Sequence, residues 1–287
     1  MLLIDQIMYS IALITLLVGS FTDFKFREVP DWVSYSLVFI ALGIRSIFAI
    51  VYEQFAYLQD GIIGFLIFLA IALIMFYTGQ WGGGDSKLLI GLGALIGVKL
   101  RMDTFMVGFF VNLIVVGAIY GLLYSFYLIY KEKGAFFSEF KKSFGEKKVQ
   151  FFIVLGLVVL FTIGAFFVPA GFSIPLFLFG LILLIAYLVM LLLVSVEKSC
   201  MIKSIEPEEL TEGDWIAQEI KVGAKLICGP KDLGICKKQI AELIKLKKQK
   251  KINKILVKEG IPFVPTFLLS FIVTYFFKNW LFKLLGF

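Results

Sequence analysis

The chain has 287 residues, of which 60% are hydrophobic and 17% are charged. A composition this apolar excludes an ordinary soluble protein of this length and is typical of a membrane protein with several transmembrane helices. There is no histidine, which excludes Ser-His-Asp and Cys-His catalysis and histidine-ligated zinc. The net charge is +7, but the lysines lie mainly in polar segments between apolar runs, where the positive-inside rule explains them. We therefore predict no nucleic-acid partner.

The cysteines give no sign of a disulfide framework or a metal site. They are Cys200, Cys228 and Cys236, an odd number, and they contain no C-x-x-C pair. Neither a set of paired disulfides nor a zinc knuckle fits this spacing. The sequence therefore predicts a protein without a metal or another cofactor.

The apolar runs predict an all-α polytopic membrane protein with about eight transmembrane helices, in a range of six to eight, and a small α+β insert. No small-residue cleavage site follows the first run, so we predict a retained helix there and not a signal peptide. The predicted spans are Met1–Phe21, Trp32–Val51, Gly61–Tyr77, Ser86–Leu100, Thr104–Tyr130, Val149–Val168, Ile174–Val196 and Ile261–Trp280.

This pattern divides the chain into five parts. They are a candidate catalytic core with spans one to five (1–130), a basic cytoplasmic loop (131–148), spans six and seven (149–196), a cytoplasmic insert (197–260) and the last span (261–287). If every span crosses, the basic segments fall on one side, which is therefore the cytoplasmic side of the plasma membrane. The turn between spans three and four faces the same side.

The insert is predicted to hold two short strands and one basic helix. The strands are Trp215–Ile220 and Ala224–Cys228, around a turn at Gly223. An amphipathic helix follows Gly229, and its lysine run Lys245–Lys254 is typical of a surface near anionic lipid headgroups.

The first candidate acid lies in the segment Gly82-Gly83-Gly84-Asp85, between two apolar runs. Glycines allow positive φ angles and a close approach of another chain. Asp85 stands where a helix begins, so its carboxylate could cap free N–H groups and would be favoured by the helix dipole. A flexible turn with an aspartate cap would explain this segment if it stood alone.

A second carboxylate, Asp23, is predicted at the same membrane face, at the end of span one. Two acids held close together at a membrane interface tend to share one proton. One then takes a proton from an attacking water while the other polarises the carbonyl group and supplies the leaving amine. The alternative is that Asp23 is a solvated loop residue near Lys25 and Arg27.

The two segments resemble motifs of one peptidase family. Gly82–Asp85 resembles the Gly-x-Gly-Asp motif of the aspartic membrane peptidases. The segment Asp23–Asp31, with its basic pair and its proline before a polar residue, is similar to the surroundings of the first catalytic aspartate in type IV prepilin peptidases. The basic insert before the last span makes the chain most similar to the archaeal prepilin and preflagellin (archaellin) peptidases.

This resemblance implies an aspartic endopeptidase of the bilayer that needs no cofactor. Its substrates would be pilin-like or archaellin precursors with class III signal peptides, whose short basic leaders are cut at the cytoplasmic face. Asp23 and Asp85 match the catalytic pair, and Gly82, Gly83 and Gly84 match the motif glycines, which are the candidate substrate-binding residues. Because no paired-cysteine domain precedes the first span, the resemblance also implies that the enzyme does not N-methylate its product.

Other functions fit parts of the pattern. A presenilin-like intramembrane protease would use the same chemistry, but its first aspartate follows a tyrosine inside a helix, whereas Asp23 follows Thr22 at a predicted helix end. A transporter or channel could bind ions through Asp23 and Asp85 at a broken helix, although such charges usually lie near the bilayer midplane. The segment Gly82–Asp85 could also be a plain turn in an inactive scaffold.

Overall fold

The computed structural model describes residues 3–98, 105–222 and 225–280. Within them the chain forms ten α-helices, one turn of 3-10 helix and five short strands. The helices are α1 Leu3–Phe26, α2 Asp31–Val51, α3 Ala56–Tyr77, α4 Gly83–Ile96, α5 Phe105–Lys131, α6 Lys133–Glu146, α7 Lys148–Gly164, α8 Ala170–Cys200, α9 Lys237–Lys248 and α10 Val264–Phe277. The strands are β1 Ile202–Ile205, β2 Trp215–Ile216, β3 Ile220–Val222, β4 Lys225–Cys228 and β5 Ile255–Lys258.

Five of the described helices, α1, α2, α3, α5 and α8, are long and apolar enough to cross a membrane. Helices α6 and α7 would add a sixth span if this pair, bent by 71°, crosses as one. Helices α4 and α10 have 14 residues each, or about 21 Å of helix, which is less than the roughly 30 Å of hydrocarbon in a bilayer. The predicted fold class is therefore confirmed, with five or six spans instead of eight. The predicted span ends at Leu100 and Thr104 lie outside the described residues.

Helix α4 is short, yet it lies in the middle of the bundle. It packs against α1, α2 and α3. It approaches α3 backbone to backbone, because a Cβ atom added at Gly93 would lie only 2.6 Å from the carbonyl oxygen of Gly64. Its fully buried large side chains are Leu88, Leu89, Leu92 and Leu95. The position of α4 is therefore set by its helical neighbours.

The C-terminal end of α4 is held by a buried arginine of α2. Arg45 is 5% exposed, and its guanidinium group donates hydrogen bonds to the carbonyl oxygens of Ala94 (2.9 Å), Leu95 (2.9 Å) and Ile96 (2.6 Å). A further bond of 2.7 Å reaches the carbonyl of Tyr57 in α3. The last carbonyls of a helix have no partner within it, so Arg45 caps α4 and ties it to α2 and α3.

The segment 131–148, predicted as a basic cytoplasmic loop, is mostly helix α6. Its residues Phe136, Phe140 and Phe144 recur every fourth position, which places them on one helical face, and α6 packs against α8. The prediction of a loop was wrong because it rested on the charge of the segment and overlooked this helical spacing. The predicted span Ile174–Val196 begins four residues earlier in the structure, since α8 starts at Ala170.

The insert after α8 is an α+β unit, as predicted. Strands β1, β5 and β2 form an antiparallel sheet, and β3 and β4 form a separate antiparallel pair. The predicted strand Trp215–Ile220 is divided between β2 and β3, while Gly223 and Ala224 lie outside the described residues. The predicted amphipathic helix is α9, which buries Leu243 and Leu246 against the sheets.

The lysine run of α9 is partly used inside the insert. The Nζ atom of Lys247 lies 2.6 Å from a carboxylate oxygen of Glu206 and 2.6 Å from one of Glu208. These ion pairs join α9 to the 3-10 turn Pro207–Glu209. Lys247 is therefore used inside the insert, and the contact with lipid headgroups stays a prediction for the other lysines of the run.

Candidate active site

Asp23 lies in the last turn of α1, which continues to Phe26 and not only to the predicted Phe21. The helix extends because Thr22–Phe26 contains neither glycine nor proline, and Arg27, with φ of +61°, ends it. Asp23 is 6% exposed. Its Oδ2 atom accepts a 2.9 Å hydrogen bond from the backbone N–H of Val264, the first residue of α10. The alternative that Asp23 is a solvated loop residue therefore does not match its buried position.

Asp85 lies in the first turn of α4, and Gly82 occupies the N-cap position. Asp85 is the third residue of α4, and its Oδ2 atom lies close to Gly82, 3.5 Å from where a Cβ atom of that residue would be. From this position an acidic side chain can reach the backbone N–H of the N-cap residue. Asp85 thus lies three residues beyond the N-cap position, but its carboxylate is still at the start of the helix. Such a site at the positive end of the helix dipole favours an acidic group.

The structure brings the two predicted acids to the same end of neighbouring helices. Helices α1 and α4 are in contact, and a Cβ atom at Gly19 would lie 3.7 Å from Leu88. Asp23 is also the charged group that acts electrostatically on Asp85. An ionised Asp23 therefore raises the cost of ionising Asp85.

The three motif glycines differ in how closely they are packed. A Cβ atom on Gly84 would lie 3.3 Å from the Cβ atom and 3.4 Å from the backbone nitrogen of Val29, in the connection between α1 and α2. At Gly82 and Gly83 an added Cβ would make only ordinary contacts, at 3.5 Å or more. The missing side chain of Gly84 therefore lets the connection between α1 and α2, which follows Asp23, approach the start of α4. Gly82 and Gly83 leave the outer side of the turn accessible.

The insert also reaches this glycine-rich turn. Gly79, which has a φ of +69°, lies against the indole ring of Trp215 in β2, since a Cβ atom there would be 3.5 Å from it. On the other side of the turn, the ring of Trp81 packs against Phe263 and Phe267 of the α10 region, with centroids 5.7 Å apart in both pairs. The segment that carries Asp85 is therefore held between the insert and α10.

Arg27 connects the end of α1 to the connection between the insert and α10. Its side chain donates a 2.8 Å hydrogen bond to the hydroxyl oxygen of Tyr124 and a 3.4 Å bond to the carbonyl oxygen of Gly260. It also lies 3.6 Å from the carboxylate of Glu259, which pairs with Lys203 of β1 as well. From the sequence, Arg27 is predicted only as a basic loop residue.

Asp31, the other acid near the first motif, lies away from this pair. It begins α2, is exposed, and its carboxylate lies 2.6 Å from Nζ of Lys87 on the surface of α4. This ion pair explains why Asp31 does not turn toward Asp23 or Asp85.

The contacts of α10 with Asp23 are absent from the sequence prediction. The signal that could have indicated them is the pair Pro262 and Pro265 before an apolar run, which marks a helix start. A helix start offers free N–H groups, but nothing in the sequence indicates which acid would receive them.

This arrangement defines a multi-pass helical membrane protein with two acidic residues at the same end of two packed helices. Residues 10–122, which include both acids, match the model of the type IV leader peptidase family. The predicted resemblance to that family is thereby confirmed for this part of the chain.

Individual relatives are also similar over about a third of the chain. The chain is 37% identical over 91 residues to a preflagellin peptidase of Methanocaldococcus jannaschii, 36% over 91 residues to one of Methanococcus voltae, and 37% over 93 residues to one of Methanococcus maripaludis. Each alignment covers 32% of this chain and 38–39% of the relative, so the chain spans less than two fifths of these relatives. No solved structure matches the chain at a comparable level of significance.

Proposed function

We propose that the protein is a membrane aspartic endopeptidase that cleaves short basic leaders from archaellin or type IV pilin-like precursors at the cytoplasmic membrane face. The observation that carries this proposal is the position of Asp23 and Asp85 at the same end of the packed helices α1 and α4, within the part of the chain that matches the leader peptidases. The similar archaeal proteins are named preflagellin peptidases, which supports a precursor of that kind as substrate.

The surroundings of the two acids support different roles for them. Asp23 is buried, but it accepts a 2.9 Å hydrogen bond from the backbone N–H of Val264 and lies near the positive charge of Arg27. These two contacts offset part of the cost of ionising it. Burial of Asp85 and the charge of the nearby Asp23 both favour its protonated form. We therefore assign Asp23 as the general base and Asp85 as the general acid.

The reaction then proceeds in two proton-balanced steps. Asp23 takes a proton from a water molecule as the water oxygen forms a bond to the scissile carbonyl carbon, while Asp85 gives its proton to the carbonyl oxygen. When the C–N bond breaks, the proton held by Asp23 passes to the leaving amine, and Asp85 takes back its proton from the hydroxyl group that becomes the new carbonyl. The two acids then have their starting protonation states again. Because one acid must be ionised and the other protonated, activity follows a bell-shaped pH profile.

The direct test is cleavage by the purified protein in detergent. An archaellin precursor should be cut once, directly before its hydrophobic segment, and mass spectrometry should give a free, unmethylated N-terminus. The absence of methylation is part of the proposal and is supported by the lack of a C-x-x-C pair. An intact precursor after long incubation would contradict the peptidase, whereas ion flux in proteoliposomes would support a transporter.

The orientation of the insert can be tested with its own cysteines. Cys236 is exposed, whereas Cys228 is fully buried, and burial raises the pKa of the Cys228 thiol to about 11. Because the thiolate is the reactive form, we expect a maleimide to modify Cys236 and to leave Cys228 unmodified in the folded protein.

In intact cells, an impermeant maleimide added outside should leave Cys236 unlabelled until the membrane is opened. A Cys236→Ser variant identifies the labelled position. Labelling of Cys236 from outside would place the insert, and with it the active-site face, on the extracellular side.

A further inference from the structure

The start of α10 presents the backbone N–H group of Val264 to Asp23. Pro265 has no N–H group, and the N–H of Thr266 donates to the carbonyl oxygen of Phe263 at 2.9 Å. The first N–H groups of a helix have no partner within it, and the carboxylate of Asp23 accepts from the N–H of Val264 at 2.9 Å. The start of α10 thus binds the carboxylate of Asp23 through a backbone amide.

The peptide group between Phe263 and Val264 is also held from its opposite side. Its carbonyl oxygen accepts two hydrogen bonds from Thr266, one from the backbone N–H at 2.9 Å and one from Oγ1 at 2.6 Å. In a trans peptide group the C=O and N–H bonds point in opposite directions within one plane. Fixing the carbonyl therefore fixes the direction of the N–H bond that points to Asp23.

We propose that Thr266 is a positioning residue for the reaction, because its hydroxyl group aims the Val264 N–H at Asp23 through the Phe263–Val264 peptide group. This inference rests on the proposed peptidase function. Thr266 is completely buried, and its hydroxyl donates to the Phe263 carbonyl. Its influence on the reaction passes through the backbone.

Losing this hydroxyl should affect the ionised form of Asp23 first. Within the described residues, the titratable groups that interact with Asp23 are Asp85, Arg27 and Tyr120. Arg27 is shared with Tyr124 and Glu259, so the backbone N–H of Val264 is the direct partner of the carboxylate. With a less well aimed N–H, Asp23 holds a proton more readily, and less of the enzyme has its base ready at low pH.

The experiment compares Thr266→Val, which keeps the shape of the side chain, with Thr266→Ser, which keeps the hydroxyl. Cleavage of an archaellin precursor should show a kcat about tenfold lower for the valine variant, with KM changed less than about twofold. The acidic limb of its pH profile should move to higher pH. Thr266→Ser should restore most of the rate and the normal profile.

The matched control is Ser270→Ala, one helical turn further along. Ser270 is also fully buried and donates its hydroxyl to a carbonyl of the same helix, that of Thr266, at 2.6 Å. Its hydroxyl does not bond the Phe263–Val264 peptide group, so this variant should keep kcat and the pH profile. If Thr266→Val does not fold, Thr266→Ala replaces it in the comparison with Thr266→Ser.

Two results would overturn the inference. One is a valine variant with the kcat and pH profile of the unmodified protein. The other is an equal loss in the serine and valine variants, which would show that shape and not the hydroxyl matters. Asp85→Asn is run in parallel: if it also cleaves normally, the proposed function itself fails, whereas an inactive Asp85→Asn beside an unaffected Thr266→Val rejects only the role of Thr266.

Discussion

Replacing either Asp23 or Asp85 by asparagine is expected to lower leader cleavage by about a thousandfold or more, while membrane insertion and folding are retained. Each acid has a different proton to move, so neither can replace the other. The asparagine side chain keeps an oxygen that accepts a hydrogen bond. The hydrogen bond from the N–H of Val264 to residue 23, and the position of residue 85 in the first turn of α4, can therefore persist in the variants, and the loss should appear in kcat.

The measurement is cleavage of an archaellin precursor by equal amounts of each detergent-purified variant, with melting temperature as the check on folding. Asp31→Asn is the matched control, because it is the same chemical change at a surface ion pair with Lys87 and should keep most of the activity. If Asp31→Asn is inactive and Asp23→Asn is active, the first acid has been assigned to the wrong residue. If all three variants cleave, the protein is not an aspartic peptidase.

The position of Asp23 and Asp85 at the same end of neighbouring helices could be predicted because it depends on topology alone. Two acids at the same ends of apolar helices fall at one depth whatever the packing between those helices. The helix limits needed only small corrections, such as the extension of α1 from Phe21 to Phe26. The crossing count was less predictable, since the apolar sequence of α4 reflects burial in the protein core and not contact with lipid.

The partners of the two acids could not be predicted, because they come from distant parts of the chain. Asp23 and Val264 are 241 positions apart, and no local pattern connects them. Trp215 similarly reaches Gly79 from the insert. Such contacts depend on how helices and sheets pack in three dimensions, and one sequence does not contain that information in its periodicity.

Arg45→Met is expected to be the most destabilising single change in the transmembrane core. Methionine has a similar length and no donor, so the carbonyls of Ala94, Leu95 and Ile96 would lose the guanidinium group that now caps them. A buried acceptor left without a partner costs roughly 1–3 kcal/mol. With three carbonyls involved, we expect a loss of at least about 3 kcal/mol, seen as a lower melting temperature in detergent.

Arg45→Met should also reduce cleavage, because α4 is one short rigid helix and a movement at one end displaces the other. Arg45 holds its C-terminal end, and Asp85 lies in its first turn, so a shift of α4 along its axis moves that carboxyl group away from Asp23. Arg45→Lys should be intermediate, since one ammonium group cannot reach all the carbonyls in the geometry of the planar guanidinium.

Lys141→Met, at an exposed position of α6, makes a similar chemical change where no carbonyls are capped and should leave both melting temperature and kcat unaltered. A stable, fully active Arg45→Met protein would show that packing of α4 against α3 at Gly64 and Gly93 is sufficient to place Asp85. A stable but inactive one would show that Arg45 acts mainly on the register of α4, and so on the alignment of the two acids.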